Sequence, residues 1–442
     1  MLDVNLSVGL LTLMLFGLLI LTLLSGLPLA FSLGGTAVIF TVLFWGSKAL
    51  FMFPAKALGT MQSIVMVAVP LFIFMGATLA RSGLADDLYD MAYHLIGRIR
   101  GGLAAGTVGI CAVFAAMTGA SAPATVTMGI VALPSMLKRG YKPSMAVGSI
   151  AAGGALGILI PPSITMIVYS LVTGVSVGHL FMGGVIPGIL LTTMFMVYIF
   201  IRCFFQKSEG PAISREEQGT WKERLASLRA VVLPILLVIM VLGSIYTGIA
   251  TPTEAAAVGA TGGLIVVAIY RKLTKAVMWD ILKETVKLTT MVLWIVMGGY
   301  WFASVYTAIG ASNLMLQIIE GLPFGPIGIV LIMQLTFFIL GMLMDPTGII
   351  FITMPVYAPI IMHLGFDPLW FGILFIVNME MAYLTPPFGL NLFYLKAIVP
   401  KEISMGQICR AAIPFILIQA TCLGLLMAFP NIVLWLPSLM IR

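Results

Sequence analysis

Long apolar segments separated by short polar loops run through almost the whole chain. An α-helix needs about 20 consecutive apolar residues to cross the hydrocarbon core of a membrane. Segments of roughly that length occupy residues 4–24, 28–46, 62–80, 145–170, 178–201, 231–247, 252–270, 286–309, 369–395 and 411–436. The first is predicted to be a retained transmembrane helix, because a signal peptide has a basic n-region and no Lys or Arg precedes this segment. The pattern predicts an all-α polytopic membrane protein.

Two further pairs of apolar segments each surround a short polar tip. We predict that residues 101–138 and 326–363 form re-entrant helical hairpins, which enter and leave the membrane on one side. The first tip reads TGASAPAT (Thr118–Thr125), and the second reads MDPTG (Met344–Gly348).

The composition makes lipid the solvent for much of the protein surface. The chain is 61% hydrophobic and only 9% charged, whereas a soluble domain carries about 25% charged residues. The net charge of +7 does not indicate a nucleic-acid partner, because the basic residues lie in short loops between apolar segments. Only Lys48, Lys56 and Arg442 fall on one side of the predicted topology, and the other 20 of the 23 basic residues fall on the opposite side. The positive-inside rule makes that basic side cytoplasmic, so both termini are predicted to be periplasmic.

The chain matches itself at an offset of 225 residues. Residues 118–162 align without a gap on residues 343–387, and the identities are mostly Pro and Gly, which constrain the backbone. The aligned pairs are Pro134 and Pro359, Gly140 and Gly365, Pro143 and Pro368, Pro161 and Pro386, and Pro162 and Pro387.

We therefore predict two halves, residues 1–205 and 230–442, joined by a solvated cytoplasmic linker at 206–229. Each half contains five spans and one hairpin. Since five is odd, the second half is predicted to run inverted in the membrane. Inverted repeats with helices broken at matching positions are typical of secondary transporters, whose sites lie at the interface between the repeats.

The diproline motifs predict breaks in the helices over residues 145–170 and 369–395. Main-chain carbonyls that are freed in lipid cost several kcal/mol each unless they are engaged. A bound Na⁺ would satisfy them, and the N-terminus of the second half-helix attracts an anion. A simple structural kink is the alternative. The candidate substrate-binding residues at the breaks and the first tip are Ser121, Thr125, Pro162, Ser163, Thr385, Pro387 and Asn391.

The hairpin tips supply oxygen ligands of the kind that alkali cations prefer. Ser121 and Thr125 could instead cap a helix. A carboxylate inside a membrane helix costs about 2.5–3.5 kcal/mol, so Asp345 is a functional candidate, although it could also act as an N-cap. Glu380 also lies inside a span, and the sequence leaves open whether it binds an ion or a proton or pairs with a structural donor.

No Walker A motif, Rossmann fingerprint or nucleophile elbow occurs in the sequence. We therefore predict that the chain is not an enzyme and that an ion gradient supplies the energy. Each charge that crosses the membrane is worth about 2.3 kcal/mol per 100 mV.

Three stretches of the sequence resemble the large (M-type) subunit of tripartite ATP-independent periplasmic (TRAP) transporters. They read GASAPATVTMGIVALPSMLKRGYKP with AAGGALGILIPPSI, MDPTGIIFITMPVYAPI, and NMEMAYLTPPFGLNLF. The resemblance implies a Na⁺-driven elevator in the bacterial inner membrane, with a transport domain that moves past a scaffold. It also implies two or more Na⁺ ions, a small carboxylate substrate, a small four-helix membrane subunit and a periplasmic substrate-binding protein.

The resemblance also implies where the ions bind. A first cation site would map to Gly119 and Ser121 with Gly153 and Gly157 from the break at Gly153–Pro162. A second site would combine residues from the second tip and the second break, namely Asp345, Thr347, Gly348, Thr385 and Gly389. Ala120 and Ala122 flank Ser121, where the family often has more Ser, so main-chain carbonyls are expected to contribute more at the first site.

Two alternatives remain from the sequence. A stand-alone divalent-anion/Na⁺ symporter of similar architecture would need no partner subunits. A passive channel would conduct without a Na⁺ gradient.

Overall fold

The computed structural model describes residues 6–213, 224–225, 227–321, 323–387 and 389–440, and every regular element in these ranges is helical. The first half contains α1 (Val8–Leu24), α2 (Leu29–Trp45), α3 (Met52–Met61), α4 (Ile64–Ala80), α5 (Leu84–Ile96), α6 (Gly102–Thr118), α7 (Ser121–Lys138), α8 (Pro143–Ala155), α9 (Ile164–Thr173) and α10 (Val177–Phe205). The second half contains α11 (Arg229–Tyr246), α12 (Pro252–Ile269), α13 (Lys275–Ala308), α14 (Ala311–Glu320), α15 (Pro326–Gly341), α16 (Pro346–His363), α17 (Pro368–Tyr383), α18 (Leu390–Lys396), α19 (Met405–Ala428) and α20 (Asn431–Ser438). The predicted all-α fold is confirmed.

Several of these helices are long and apolar enough to cross a membrane. By length and composition, α10, α11, α12, α13, α16 and α19 qualify within the described ranges. The segment Ser47–Met61 and helix α4 together form one further candidate span, bent by 61°. Large apolar side chains face outward on several helices, for example Leu21 at 66% exposure and Ile189 at 62%. Lipid is the solvent that suits such a surface.

The hairpin and the broken helix follow one another in the same order in the two halves, whereas α3 and α20 each occur in one half only. Helices α6 and α7 lie within the first predicted hairpin, and α15 and α16 lie within the second. Helices α8 and α9 flank Pro161–Pro162, and α17 and α18 flank Pro386–Pro387; both diproline peptide bonds are cis. Gly83 and Gly310, both with positive φ, precede the matching helices α5 and α14.

Helices exchange partners between the halves. By their order in the halves, α2 corresponds to α12, and α4 corresponds to α13. Helix α2 of the first half packs on α13 of the second, and α12 of the second half packs on α4 of the first. In the same way α7 packs on α18, and α16 packs on α9. Such reciprocal contacts are what a two-fold relationship generates. Small residues permit the close approach: a Cβ on Gly298 would lie 2.5 Å from the Ala30 carbonyl oxygen. That the second half is inverted in the membrane stays a prediction.

Two helices differ from the predicted spans. Helix α13 begins at Lys275 rather than at residue 286, because its first turns are amphipathic and carry Lys283, Glu284 and Lys287. The segment predicted as one span at 411–436 is divided into α19 and α20, with Phe429 and Pro430 between them. Pro430 has no N–H and cannot donate the main-chain hydrogen bond that would continue α19, so a new helix begins after it.

The linker at 206–229 begins with the exposed residues 206–208, as expected for a solvated segment, and Glu209 and Gly210 then pack against the first half. The Glu209 carboxylate, only 7% exposed, lies 3.2 Å from Lys142 Nζ and 3.6 Å from an Arg202 guanidinium nitrogen. The Gly101 amide donates to the Gly210 carbonyl oxygen at 2.9 Å. Two cationic partners offset the desolvation of the buried carboxylate. Residues 214–223 and 226 of the linker lie outside the described residues.

Candidate functional site

The first hairpin tip is joined to both broken helices through one side chain. Ser121 begins α7, and its hydroxyl donates a hydrogen bond to Asn391 Oδ1 at the start of α18. Asn391 Nδ2 donates in turn to the Ala151 carbonyl oxygen in α8 at 3.2 Å. Ser121 and Asn391 are both buried. The Asn391 amide therefore connects the tip of the first half to the break of the second.

Glycines allow the first tip to lie directly on the first break. A Cβ on Gly157 would overlap the Ala120 carbonyl oxygen, and a Cβ on Gly119 would lie 2.5 Å from the Pro162 carbonyl oxygen. Gly119 also has a φ of 63°, which ends α6 in the left-handed region. Any larger residue at these positions would separate the tip from the break.

At the second tip, Asp345 caps helix α16. Its Oδ1 accepts a hydrogen bond from the Thr347 amide at 2.8 Å, and its Oδ2 accepts one from the Tyr383 hydroxyl at 3.3 Å. The N-cap considered from the sequence is thus present. A carboxylate offers about four lone-pair positions, so these two bonds leave acceptor capacity for a cation.

Both tips line one cavity of about 640 Å³. This volume falls in the range of small-molecule binding sites, about 300–1,000 Å³. On one side lie the two tips, and on the other lie α4 and α13. Its polar and charged lining residues are Arg81, Ser121, Thr127, Thr165, Glu284, Asp345, Thr347, Tyr383 and Tyr394.

Two charged residues of this cavity, Arg81 and Glu284, are not among the site residues predicted from the sequence. Arg81 is the C-cap of α4, and its sequence position predicts only a charge in a cytoplasmic loop. Glu284 lies in the part of α13 that precedes the span predicted at 286–309. An Arg81 guanidinium nitrogen lies 2.5 Å from a Glu284 carboxylate oxygen. Because the two residues are about 200 positions apart, no local pattern links them.

Four of the predicted site residues line the cavity, namely Gly119, Ser121, Asp345 and Thr347. Thr125 and Thr385 do not line the cavity but make hydrogen bonds within the first tip and beside the second break. The Thr125 hydroxyl donates to the Ser121 carbonyl oxygen at 3.0 Å, and the Thr385 hydroxyl donates to the Met381 carbonyl oxygen at 2.8 Å.

Ser163 holds the first break, as its hydroxyl donates to the Ile158 carbonyl oxygen at 2.6 Å and accepts from the Met166 amide at 3.4 Å. Pro387 is exposed at the second break. Gly389 is buried there and precedes α18 with a φ of 39°. These two residues lie outside the cavity lining.

Gly153 and Gly348 lie in helix packing rather than in the cavity lining. A Cβ on Gly153 would lie 2.9 Å from the Cys111 Cβ on α6, and one on Gly348 would overlap the Leu29 side chain on α2. Their roles as ion ligands stay predictions.

Glu380 lies on α17, away from the cavity. It is fully buried, and neither carboxylate oxygen has a hydrogen-bond partner among the residues that the structure describes. Helix α17 packs on α19 in this region.

A cavity that is lined by two hairpin tips and holds a few polar and charged groups, in an all-helical membrane protein, is typical of membrane transporters. The family model of the tripartite ATP-independent periplasmic transporter DctM component matches residues 16–432. The chain therefore belongs to this family and is a TRAP transporter large permease subunit, as the resemblance in the sequence indicated. The family is a transporter component, in agreement with the prediction that the chain is not an enzyme.

Relatives of known assignment are similar over nearly their whole length. A C4-dicarboxylate TRAP transporter large permease protein from Pseudomonas aeruginosa is 37% identical over 399 residues, which cover 90% of this chain and 92% of that protein. An ectoine/5-hydroxyectoine TRAP transporter large permease protein from Ruegeria pomeroyi is 32% identical over 422 residues, which cover 95% of this chain and 97% of that protein.

Among solved structures, the YdaH transporter of Alcanivorax borkumensis has a similar fold. The TM-score is 0.62, and the similarity covers 86% of this chain and 88% of that one at 13% sequence identity. At this identity the likeness concerns the fold alone.

Proposed function

We propose that this permease subunit imports a small organic anion and that an inward Na⁺ gradient drives the import. A periplasmic binding protein delivers the substrate, and a small four-helix membrane subunit completes the complex in the bacterial inner membrane. The observation that carries this proposal is that one cavity is lined by both hairpin tips, including Asp345. In a secondary transporter, the substrate and coupling ions meet where the repeats meet.

Two or more Na⁺ ions bind at the tips in this proposal. Asp345 and Thr347 provide a carboxylate and a hydroxyl at the second tip, next to the break that contains Thr385 and Gly389. At the first tip, Ser121 and main-chain carbonyls near Gly157 provide the ligands. Hard oxygen donors of these types suit alkali cations, and the acceptor capacity left on Asp345 supports this assignment.

The substrate in this proposal is a small molecule with a carboxylate group. The relatives named above are assigned to C4-dicarboxylates and to ectoines, which all carry a carboxylate. The N-termini of α7, α9 and α18 lie at the tip and the breaks, and helix N-termini favour anions. Ser121, Thr125, Pro162, Ser163, Thr385, Pro387 and Asn391 form this region, with Ser121 in direct contact with the cavity.

Alternating access occurs in this proposal by an elevator movement. Helices α2, α4, α12 and α13 pack on one another across the two halves and form the scaffold. The hairpins and broken helices, α6–α9 and α15–α18, form the transport domain. The cavity lies between the two groups, which supports a sliding interface at this position.

Reconstitution into proteoliposomes tests this function. The chain is combined with its small membrane subunit and binding protein, and uptake of succinate and of ectoine is measured with and without an inward Na⁺ gradient. We expect uptake of at least one compound that requires both the gradient and the partners. Gradient-independent flux would indicate a channel, and Na⁺-driven uptake by the chain alone would indicate a stand-alone symporter.

A further inference from the structure

Arg81 is the one cation among the described residues that line the cavity. Its guanidinium donates to the Ala77 carbonyl oxygen at 3.1 Å and lies 2.5 Å from the Glu284 carboxylate. The two side chains are 31% and 34% exposed. Arg81 is therefore held at the cavity wall, within reach of a dissolved ligand, and is neutralised by an internal carboxylate.

The repeat does not duplicate this ion pair. When the segment that contains α3 and α4 is aligned with α13 on the glycines that follow, Gly83 and Gly310, the position of Arg81 corresponds to Ala308 and that of Glu284 to Ala57 in α3. A role in the packing common to both halves would require a pair in each. An ion pair that is present in one half and absent from the other suits a step of transport that takes place on one side of the membrane, such as substrate release.

The charges around the cavity explain what the pair can do. Arg81 contributes one positive charge, and Glu284 and Asp345 contribute two negative charges, so without a cation the wall repels an anion. A guanidinium binds a carboxylate through two parallel hydrogen bonds. A carboxylate ligand in the cavity presents the same chemical group as Glu284 and can replace it on Arg81.

We propose that Arg81 binds the carboxylate of the substrate and that Glu284 competes with the substrate for Arg81. Release of the substrate restores the Arg81–Glu284 pair. Because Arg81 is on the side predicted to be cytoplasmic, the competition favours release into the cell. This inference rests on the proposed function, since it assigns a residue to the anion that the function requires.

The two partners of the pair give opposite predictions. If the ion pair serves only to hold α4 against α13, substitution of Arg81 and substitution of Glu284 change substrate binding in the same direction. If Glu284 competes with the substrate, then Arg81→Gln weakens substrate binding, whereas Glu284→Gln frees Arg81 and strengthens it. A lost charge-assisted hydrogen bond corresponds to a change in Kd of roughly tenfold or more.

Binding of succinate, with ectoine as a second probe, is measured on the purified full-length chain in lipid nanodiscs containing saturating Na⁺. We expect the Kd to rise about tenfold in Arg81→Gln, to rise less in Arg81→Lys, and to fall several-fold in Glu284→Gln. Lys283→Gln is the matched control, because Lys283 lies on the same helix outside the cavity lining and pairs with Asp280 at 3.7 Å. Its Kd should not change.

Weaker binding in both single variants would overturn the proposal, as would unchanged binding in Arg81→Gln. If the wild type binds neither probe, the proposal for Arg81 fails together with the proposed anion specificity. If uptake by the wild type proves independent of Na⁺ but the two Kd shifts are still opposite in sign, the role of Arg81 stands and only the sodium coupling fails.

Discussion

The Ser121 hydroxyl donates a hydrogen bond to the side-chain oxygen of Asn391, 270 positions further along the chain. Ser121 begins α7 in the hairpin of the first half, and Asn391 lies in α18, which follows the diproline break of the second half. The hydrogen bond therefore joins the first hairpin to the second broken helix. Asn391 also donates to the Ala151 carbonyl oxygen, so three elements meet at one buried amide. The two halves, which also pack through α2, α4, α12 and α13, are therefore joined at the site as well.

Removal of this link is expected to destabilise the protein. Asn391→Ala leaves a buried hydroxyl and a buried carbonyl without their partner, which costs about 1–3 kcal/mol of unfolding free energy. Ser121→Ala should cost less, because the amide keeps its bond to Ala151. Thermal or denaturant unfolding in detergent measures both variants.

The double variant Ser121→Ala, Asn391→Ala is the check on this prediction. Because both substitutions break one shared bond, their effects should not add. Additive losses of stability would show that the two side chains do not interact in the protein.

Asp345→Asn separates the two roles of Asp345. Asn is as good an N-cap as Asp, so the cap of α16 and the folded state should persist, while the negative charge is lost. We expect Na⁺-driven uptake in proteoliposomes to fall by about tenfold or more, which corresponds to the loss of a charge-assisted contact.

Asp367→Asn provides a matched control for Asp345→Asn. Asp367 also precedes a Pro and caps a helix, accepting from the Leu369 amide at 2.7 Å, but it lies outside the cavity lining. Its substitution should leave the Na⁺ dependence of uptake as in the wild type. An equal loss of uptake in both variants would assign the effect to helix capping and remove Asp345 from the ion site.

Gly157→Ala is expected to push the first tip away from the first break. The added Cβ would overlap the Ala120 carbonyl oxygen, and overpacking of this kind costs about 1–3 kcal/mol. Gly109→Ala is the comparison, since no atom lies within 4 Å of the added Cβ in helix α6. That variant should be unchanged or more stable by about 0.5–1 kcal/mol. Similar unfolding temperatures for the two variants would contradict the close approach of tip and break.

The sequence predicts structure best where Pro or Gly constrains the backbone at its own position. Pro161–Pro162, Pro386–Pro387 and the glycines at the tips act on their own positions, so the breaks and hairpins could be located from residue types alone. Pro430 is a signal of the same kind at the division between α19 and α20, where the apolar segment 411–436 was predicted as one span.

Pairs of side chains from distant segments could not be predicted in this way. Arg81 and Glu284 each resemble a charge at the edge of an apolar segment, and only the packing of α4 beside α13 brings them to 2.5 Å. Asn391 was identified as a candidate from its position after the second diproline, whereas its contact with Ser121 depends on how the two halves fit together.

Glu380→Gln addresses the carboxylate that the sequence left ambiguous. Glu380 does not line the cavity, and its oxygens have no hydrogen-bond partner among the described residues. The substitution keeps the side-chain shape, so we expect the Na⁺ concentration for half-maximal uptake to stay within about twofold of the wild type, since an uninvolved site shifts such values little. A larger shift would place Glu380 in the ion pathway.

Equilibrium binding of radioactive sodium to the purified chain is the most direct test of the ion site at the hairpin tips. Saturable binding of two or more ions by the wild type, with one ion fewer in Asp345→Asn, is the predicted result. The contradicting result is the absence of saturable sodium binding, or the same number of bound ions in Asp345→Asn as in the wild type.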